Sequence, residues 1–220
     1  MPPTDWGLTV PGSNSSYTRP AHGPQQATEA RSRLRIDGVG DSFATMVSRV
    51  ALRLAEPDDI DALVSIDDDA SALYEQHGLD FECQADSAFA QAKRNRWLRA
   101  AHLRRVFLAV DTDGCEVAFG ALDVLDGNLY LEQLSVRCGA MRRGIGTLLL
   151  THSIECARRA GMSLWLTTYS HLIWNRLYYE RHGFVVVPES ECGAGIRHHL
   201  EEQRRFLPAP AERVAMRRAL

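Results

Sequence analysis

The sequence predicts an α+β domain with a mixed sheet, antiparallel first and parallel in its middle, with helices on both faces. Two observations carry this. Three apolar stretches, Val106–Val110, Glu116–Leu125 and Leu129–Val136, are separated only by the turn sequences Asp111-Thr112-Asp113-Gly114 and Asp126-Gly127-Asn128, which makes an antiparallel meander. The third stretch is followed by a glycine-opened helical period and another strand, Ser163–Thr168. A strand–helix–strand unit with a right-handed crossover makes a parallel pair.

In chain order, residues 1–45 are rich in Pro, Gly, Ser, Thr and Gln with no sustained apolar period, and read as a disordered extension to a domain over 46–220. The fold starts near Val47, where Val50, Leu52 and Leu54 alternate with Ala51, Arg53 and Ala55 as a half-buried strand. Glu56-Pro57-Asp58-Asp59 opens a helix, since Pro suits a first turn and acids suit its dipole, and Ile60, Leu63, Val64 and Ile66 give it an apolar face. A second helix spans Ala85–Leu103, with Phe89, Ala92, Trp97, Leu98 and Ala101 inward. The meander follows, and then a helix over Arg143–Arg159 that Gly161 terminates. After the parallel strand come a short helix, His171–Arg181, and a strand, Phe184–Val187. A charged helix, Ile196–Arg205, then leads to a last strand, Arg213–Met216.

A hydrophobic content of 45% and a charged content of 24% describe an ordinary globular chain, and the net charge of −3 argues against a dedicated nucleic-acid binder. No apolar run reaches the ~18 residues that span a bilayer. The start Met1-Pro2-Pro3-Thr4-Asp5 has neither the basic nor the apolar region of a signal peptide, so a cytoplasmic location is expected. Cys83, Cys115, Cys138, Cys156 and Cys192 are dispersed without paired spacing, which fits reduced thiols and no metal site. The arginines Arg94, Arg96, Arg99, Arg104 and Arg105 read as a solvated helix face, and His152 and His182 as surface or packing residues.

The most informative segment is Leu131–Val136 followed by Met141-Arg142-Arg143-Gly144-Ile145-Gly146-Thr147. A helix N-terminus has unpaired N–H groups and the positive end of its dipole, and glycines let a bulky anion approach the backbone. With flanking arginines this is a pyrophosphate seat. A P-loop would need Gly-Lys-Ser or Gly-Lys-Thr and a dinucleotide fingerprint a third Gly, and both are missing.

Together with Asn175-Arg176-Leu177-Tyr178-Tyr179-Glu180-Arg181-His182-Gly183-Phe184, this segment resembles the GNAT superfamily of acyl-CoA-dependent N-acyltransferases over about 47–220. Met141–Gly146 is similar to the family's phosphate-loop pattern of Gln or Arg, two residues, Gly, any residue, then Gly or Ala. Tyr179–Phe184 is similar to its helix-to-strand signature, and Arg213–Arg218 to the final strand of some bacterial members. Met141 departs from the pattern, leaving Arg142, Arg143 and the backbone to hold the pyrophosphate, and Cys138-Gly139 replaces a turn that often contains Pro.

The resemblance implies a GNAT-like domain that moves an acetyl group from acetyl-CoA to a primary amine, on a small molecule or a protein, by direct attack in a ternary complex. It also implies a coenzyme A site formed by Leu134, Ser135 and Val136, whose backbone pairs with the pantetheine arm, by Met141, Arg142, Arg143, Gly144, Ile145, Gly146 and Thr147, and by Asn175 and Tyr178. Transfer to an amine needs a deprotonated nitrogen, an oxyanion donor and an acid for the leaving thiolate. Glu132 is the candidate base, the alternative being a solvated strand carboxylate; strict alternation would put Tyr130, Glu132 and Leu134 on one face and Leu131, Gln133 and Ser135 on the other. Tyr179 aligns as the acid, with Tyr178 as its competitor, and Asn175 is otherwise a cap of the short helix. Tyr74-Glu75-Gln76-His77, read as the connection between the first two helices, is a candidate acceptor contact. Two other classes stay open: a non-catalytic acyl-CoA sensor, and an interaction module whose N-terminal tail does the work. The closing strand is the candidate edge for a homodimer.

Overall fold

The computed structural model describes residues 50–79 and 87–220. The expected extension over 1–45, the strand start at Val47 and the helix start at Ala85 lie outside the described residues. Within them, β1 (Val50–Leu54), β2 (Val106–Asp111), β3 (Glu116–Leu125), β4 (Asn128–Val136), β5 (Leu164–Tyr169), β6 (Val185–Val187) and β7 (Arg213–Arg218) form one sheet in the order β1-β2-β3-β4-β5-β7-β6. All neighbours are antiparallel except β4 and β5, which are parallel. The helices are α1 (Ile60–Glu75), α2 (Ala88–His102), α3 (Ile145–Ala160), α4 (Ile173–Arg181) and α5 (Ala194–Phe206).

The period of two sorts each strand between two layers. Phe107, Ala109, Leu122, Leu129, Leu164 and Met216 pack with Ile145, Leu149 and Leu150 of α3. Their neighbours Val106, Leu108 and Ala121 meet Leu63, Ile66 and Trp97 of α1 and α2, while Tyr130, Trp165 and Ala215 meet Ile196 and Leu200 of α5. Helices therefore cover both faces, as expected. Asp126, at the β3–β4 turn, caps α5 from a distance by accepting the Gly195 and Ile196 N–H groups at 2.8 and 2.9 Å.

Three expectations change. Ala121 pairs with Gln133 and Leu122 with Leu131, so Glu132 is an extra residue, a β-bulge in β4. The bulge puts Glu132 and Gln133 side by side over α1, α2 and α5, and sends Leu134 to the α3 layer, which strict alternation had reversed. The closing strand is not an edge: β7 lies between β5 and β6, so it cannot be the dimer edge over Ala215–Arg217. Finally, α1 runs on to Glu75, so Tyr74 is helical rather than part of a connection. Among the described residues no helix is long and apolar enough to cross a membrane.

Candidate active site

Beyond Val136 the chain passes through a 3₁₀ turn, Cys138–Ala140, and the loop Met141–Arg143 before α3. Side chains tie this loop to its neighbours. Asp69 of α1 accepts the Cys138 N–H at 2.5 Å, and Arg137 donates to the Glu116 and Ser65 carbonyls at 2.9 and 3.2 Å. Arg142 and Gly144 both take left-handed backbone, at φ 60° and 82°. The helix consequently starts at Ile145 instead of Arg143, with Gly144 as its cap. A glycine cap has no side chain to satisfy the first-turn N–H groups, which stay available to an external anion. A Cβ on Gly146 would meet the Tyr178 Oη at 3.6 Å and Val136 at 3.7 Å, ordinary contact distances, so this position tolerates the pattern's alternative alanine.

The parallel ladder between β4 and β5 consists of Leu129–Leu164 and Tyr130–Trp165 alone. Past the bulge the two strands no longer pair, and a cavity of about 620 Å³ runs through the split. Leu134, Ser135, Val136, Met141 and Arg142 line it from one side, Asn175, Tyr178 and Tyr179 from α4, and Glu132 from its floor. The other expected positions are not part of its wall. Arg143 borders a separate depression beside Asp111 and Asp113, and the Ile145 side chain is buried in the α3 layer. Gly144, Gly146 and Thr147 form the helix mouth next to the cavity.

On the floor, Glu132 is buried between Arg96 Nε at 2.8 Å and His199 Nε2 at 3.2 Å, and Arg96 also reaches Glu202 at 3.1 Å. Burial pushes the Glu132 carboxyl up, but His199 and Arg96 outweigh it and hold the group at about 2. Asp67 accepts from Ser135 Oγ at 2.6 Å and from Gln133 Nε2 and Lys93 Nζ at 2.7 Å each. Arg96 and Arg105 thus leave the expected solvated face. Arg96 is held by Glu132 and Glu202, and Arg105, 1% exposed, approaches Asp123 at 3.4 Å.

Tyr179 packs edge-on to Phe184 and Tyr178, at 5.8 and 5.3 Å between ring centres, and burial pushes its phenol well above the ordinary range. Asn175 is the third residue of α4, past the cap position at Leu172, and its Nδ2 donates to Tyr74 Oη at 3.2 Å; the capping alternative does not apply. Burial raises the Tyr74 phenol to about 12. Asp67, Arg96, Gln203 and Arg213 line the cavity without having been expected there, and His199 stands behind Glu132. Only Asp67 had a signal, because it falls on the apolar stripe Leu63–Ile66–Ala70 of α1.

An open helix N-terminus, an unpaired strand edge, a half-buried phenol and a buried carboxylate therefore meet around one cavity. Residues 62–184 match the Acetyltransferase (GNAT) family, and the chain belongs to that family. Enzymes of the family use acetyl-CoA as co-substrate. Among solved structures, PaiA N-acetyltransferase from Thermoplasma acidophilum, in complex with coenzyme A, superposes with a TM-score of 0.60 at 12% identity, covering 79% of this chain and 100% of that one. The N-acetylglutamate synthase of Neisseria gonorrhoeae, complexed with coenzyme A and N-acetyl-glutamate, gives 0.56 at 21% identity over 78% of this chain, which spans 35% of the synthase. A GNAT-family acetyltransferase of Staphylococcus aureus Mu50 gives 0.56 at 16% identity over 77% of this chain and 98% of that one. At these identities the likeness concerns the fold.

Proposed function

We propose that this chain transfers an acetyl group from acetyl-CoA to a primary amine by direct attack in a ternary complex. The observation that carries this reading is the continuity of the cavity, from Met141 and Arg142 through the β4–β5 split to Glu132 and Gln203. Two substrates entering from opposite ends meet there, and none of the described cysteines lines the wall to carry the acyl group covalently.

The first-turn N–H groups of α3, with Arg142 beside them, suit a pyrophosphate, and the free edge of β4 at Leu134–Val136 suits an extended amide-bearing arm. Acetyl-CoA supplies a thioester whose carbonyl carbon gains the C–N bond as the C–S bond breaks. Tyr179 gives its proton to the departing sulfur; a phenol raised above its ordinary range stays protonated and ready to donate at neutral pH. An alkylammonium has a pKa of about 10.4 and must lose a proton before attack. Glu132 is the base that takes this proton, directly or through a water, and its partners His199 and Arg96, which hold its carboxyl low, moderate its strength as a base. The activity is assigned to 46–220, so deletion of residues 1–45 leaves transfer intact.

Thiol release measured over a panel of primary amines, alongside calorimetric titration with acetyl-CoA, tests the proposal. Acetyl-CoA binding together with turnover of at least one amine class is the expected result. Binding without turnover of any amine would make the domain an acyl-CoA sensor instead.

A further inference from the structure

We infer that the acceptor amine carries a carboxylate and that Arg213 binds it, making the acceptor a small amino acid; this rests on the acyl-transfer reading above. Arg213, the first residue of β7, is 8% exposed and yet lines the cavity. Its partners are neutral. Nη2 donates to Gln203 Oε1 at 2.6 Å and to Thr167 Oγ1 at 3.1 Å, and the guanidinium carbon stands 4.5 Å from the centre of the Tyr169 ring. Its Nε is buried and makes no hydrogen bond. Among the described residues no carboxylate comes within 4.0 Å of it.

The other buried or half-buried cations on the same wall are compensated, Arg96 by Glu132 and Glu202 and Lys93 by Asp67. A guanidinium cannot shed its proton to escape burial, and a buried charge without a counter-charge is costly. Such a group in a cavity wall, with donors to spare, calls for an anion from outside, and its planar fork suits a carboxylate. Its location fits the acceptor. Arg213 lies within electrostatic reach of Tyr179 and Tyr74, which line the same cavity. Glu132 and Asp67 line the same cavity, and each is already paired, with Arg96 and Lys93. Of Arg96, Lys93 and Arg213, Arg213 is the cavity cation without a carboxylate partner, and an acceptor carboxylate supplies one.

The test compares matched acceptors, each free amino acid against its decarboxylated amine and its amide, in the full-length protein with acetyl-CoA. The expected preference for the carboxylate in kcat/KM is ~10²-fold or more, because a site built around a polar group rejects the analogue lacking it. Arg213→Met should bring that ratio to about one with acetyl-CoA affinity preserved, and Arg213→Lys, which keeps the charge but not the fork, should give an intermediate ratio. Equal use of the pairs by the wild-type protein, or an unchanged ratio in a folded Arg213→Met variant, overturns the inference. Should neither variant fold, the wild-type ratio decides alone. If no acceptor is turned over, the transfer reading fails by itself. Calorimetry of the same pairs with coenzyme A present then decides the carboxylate claim: carboxylate-dependent binding supports it, and equal or absent binding refutes it.

Discussion

At the α3 end of the cavity, one continuous segment from Leu134 to Thr147 supplies the strand edge, the turn and the helix mouth, and most of what it offers is backbone. At the opposite end the groups converge from separate elements: Arg96 from α2, Glu132 from β4, His199 and Gln203 from α5, and Arg213 from β7. The first end is made by chain geometry and suits a ligand common to a whole family. The second is made by paired and unpaired charges, and such pairing is what distinguishes one acceptor from another. Substitutions at the two ends should accordingly fail in different ways.

The largest effect is expected at the backbone end. Gly144→Glu forces a side chain into left-handed backbone and sets a like charge against the pyrophosphate, so acetyl-CoA affinity measured by calorimetry should fall ~10²-fold or more. Normal binding in that variant would remove the anion seat from the account. Tyr179→Phe should lower turnover by at least an order of magnitude, given general-acid contributions of ~10²–10⁴, with acetyl-CoA affinity little changed. Because burial raises this phenol, the wild-type turnover profile should show no loss of the acid near its ordinary pKa of ~10. A fall in activity there, or unchanged turnover in the Phe variant, speaks against Tyr179.

Glu132→Gln leaves Arg96 and His199 with Glu202 as their remaining carboxylate. Breaking a buried pair costs roughly 3 kcal/mol, read as a lowered denaturant midpoint at neutral pH. The pH dependence has a definite sign. A carboxyl depressed to about 2 in the folded state stabilises the fold above its ordinary 4.5, and that contribution disappears as pH falls from 4.5 toward 2. The Gln variant should lack this part of the acid transition when followed by circular dichroism; an identical transition would mean that Glu132 is not held by its partners. The smallest effect belongs to Asp126→Ala, which removes the distant cap of α5 at a cost of ~1 kcal/mol in thermal unfolding, with acetyl-CoA binding unaffected.

The same contrast explains what could be read from the sequence. The backbone end is legible because its parts are contiguous: turn glycines, a strand before them and an amphipathic period after them reveal the element and its opening together. The meander and the crossover are legible for the same reason, each link being local. The opposite end depends on sheet order and register. Nothing in the alternation of Leu129–Val136 announces the bulge that turns Glu132 and Gln133 to the same side. Arg213 reaches the cavity only because β7 inserts between β5 and β6, a choice that hydrophobic pattern does not encode. Arg96 looks like one of several surface arginines until Glu132 and Glu202 are brought to it from remote positions.

Direct attack, as proposed above, needs both ligands in one continuous cavity at once. Initial rates measured with acetyl-CoA and an accepted amine both varied test it most directly. Intersecting double-reciprocal lines, the signature of a ternary complex, are expected; parallel lines would place the acyl group on the protein between two half-reactions and rule out direct attack.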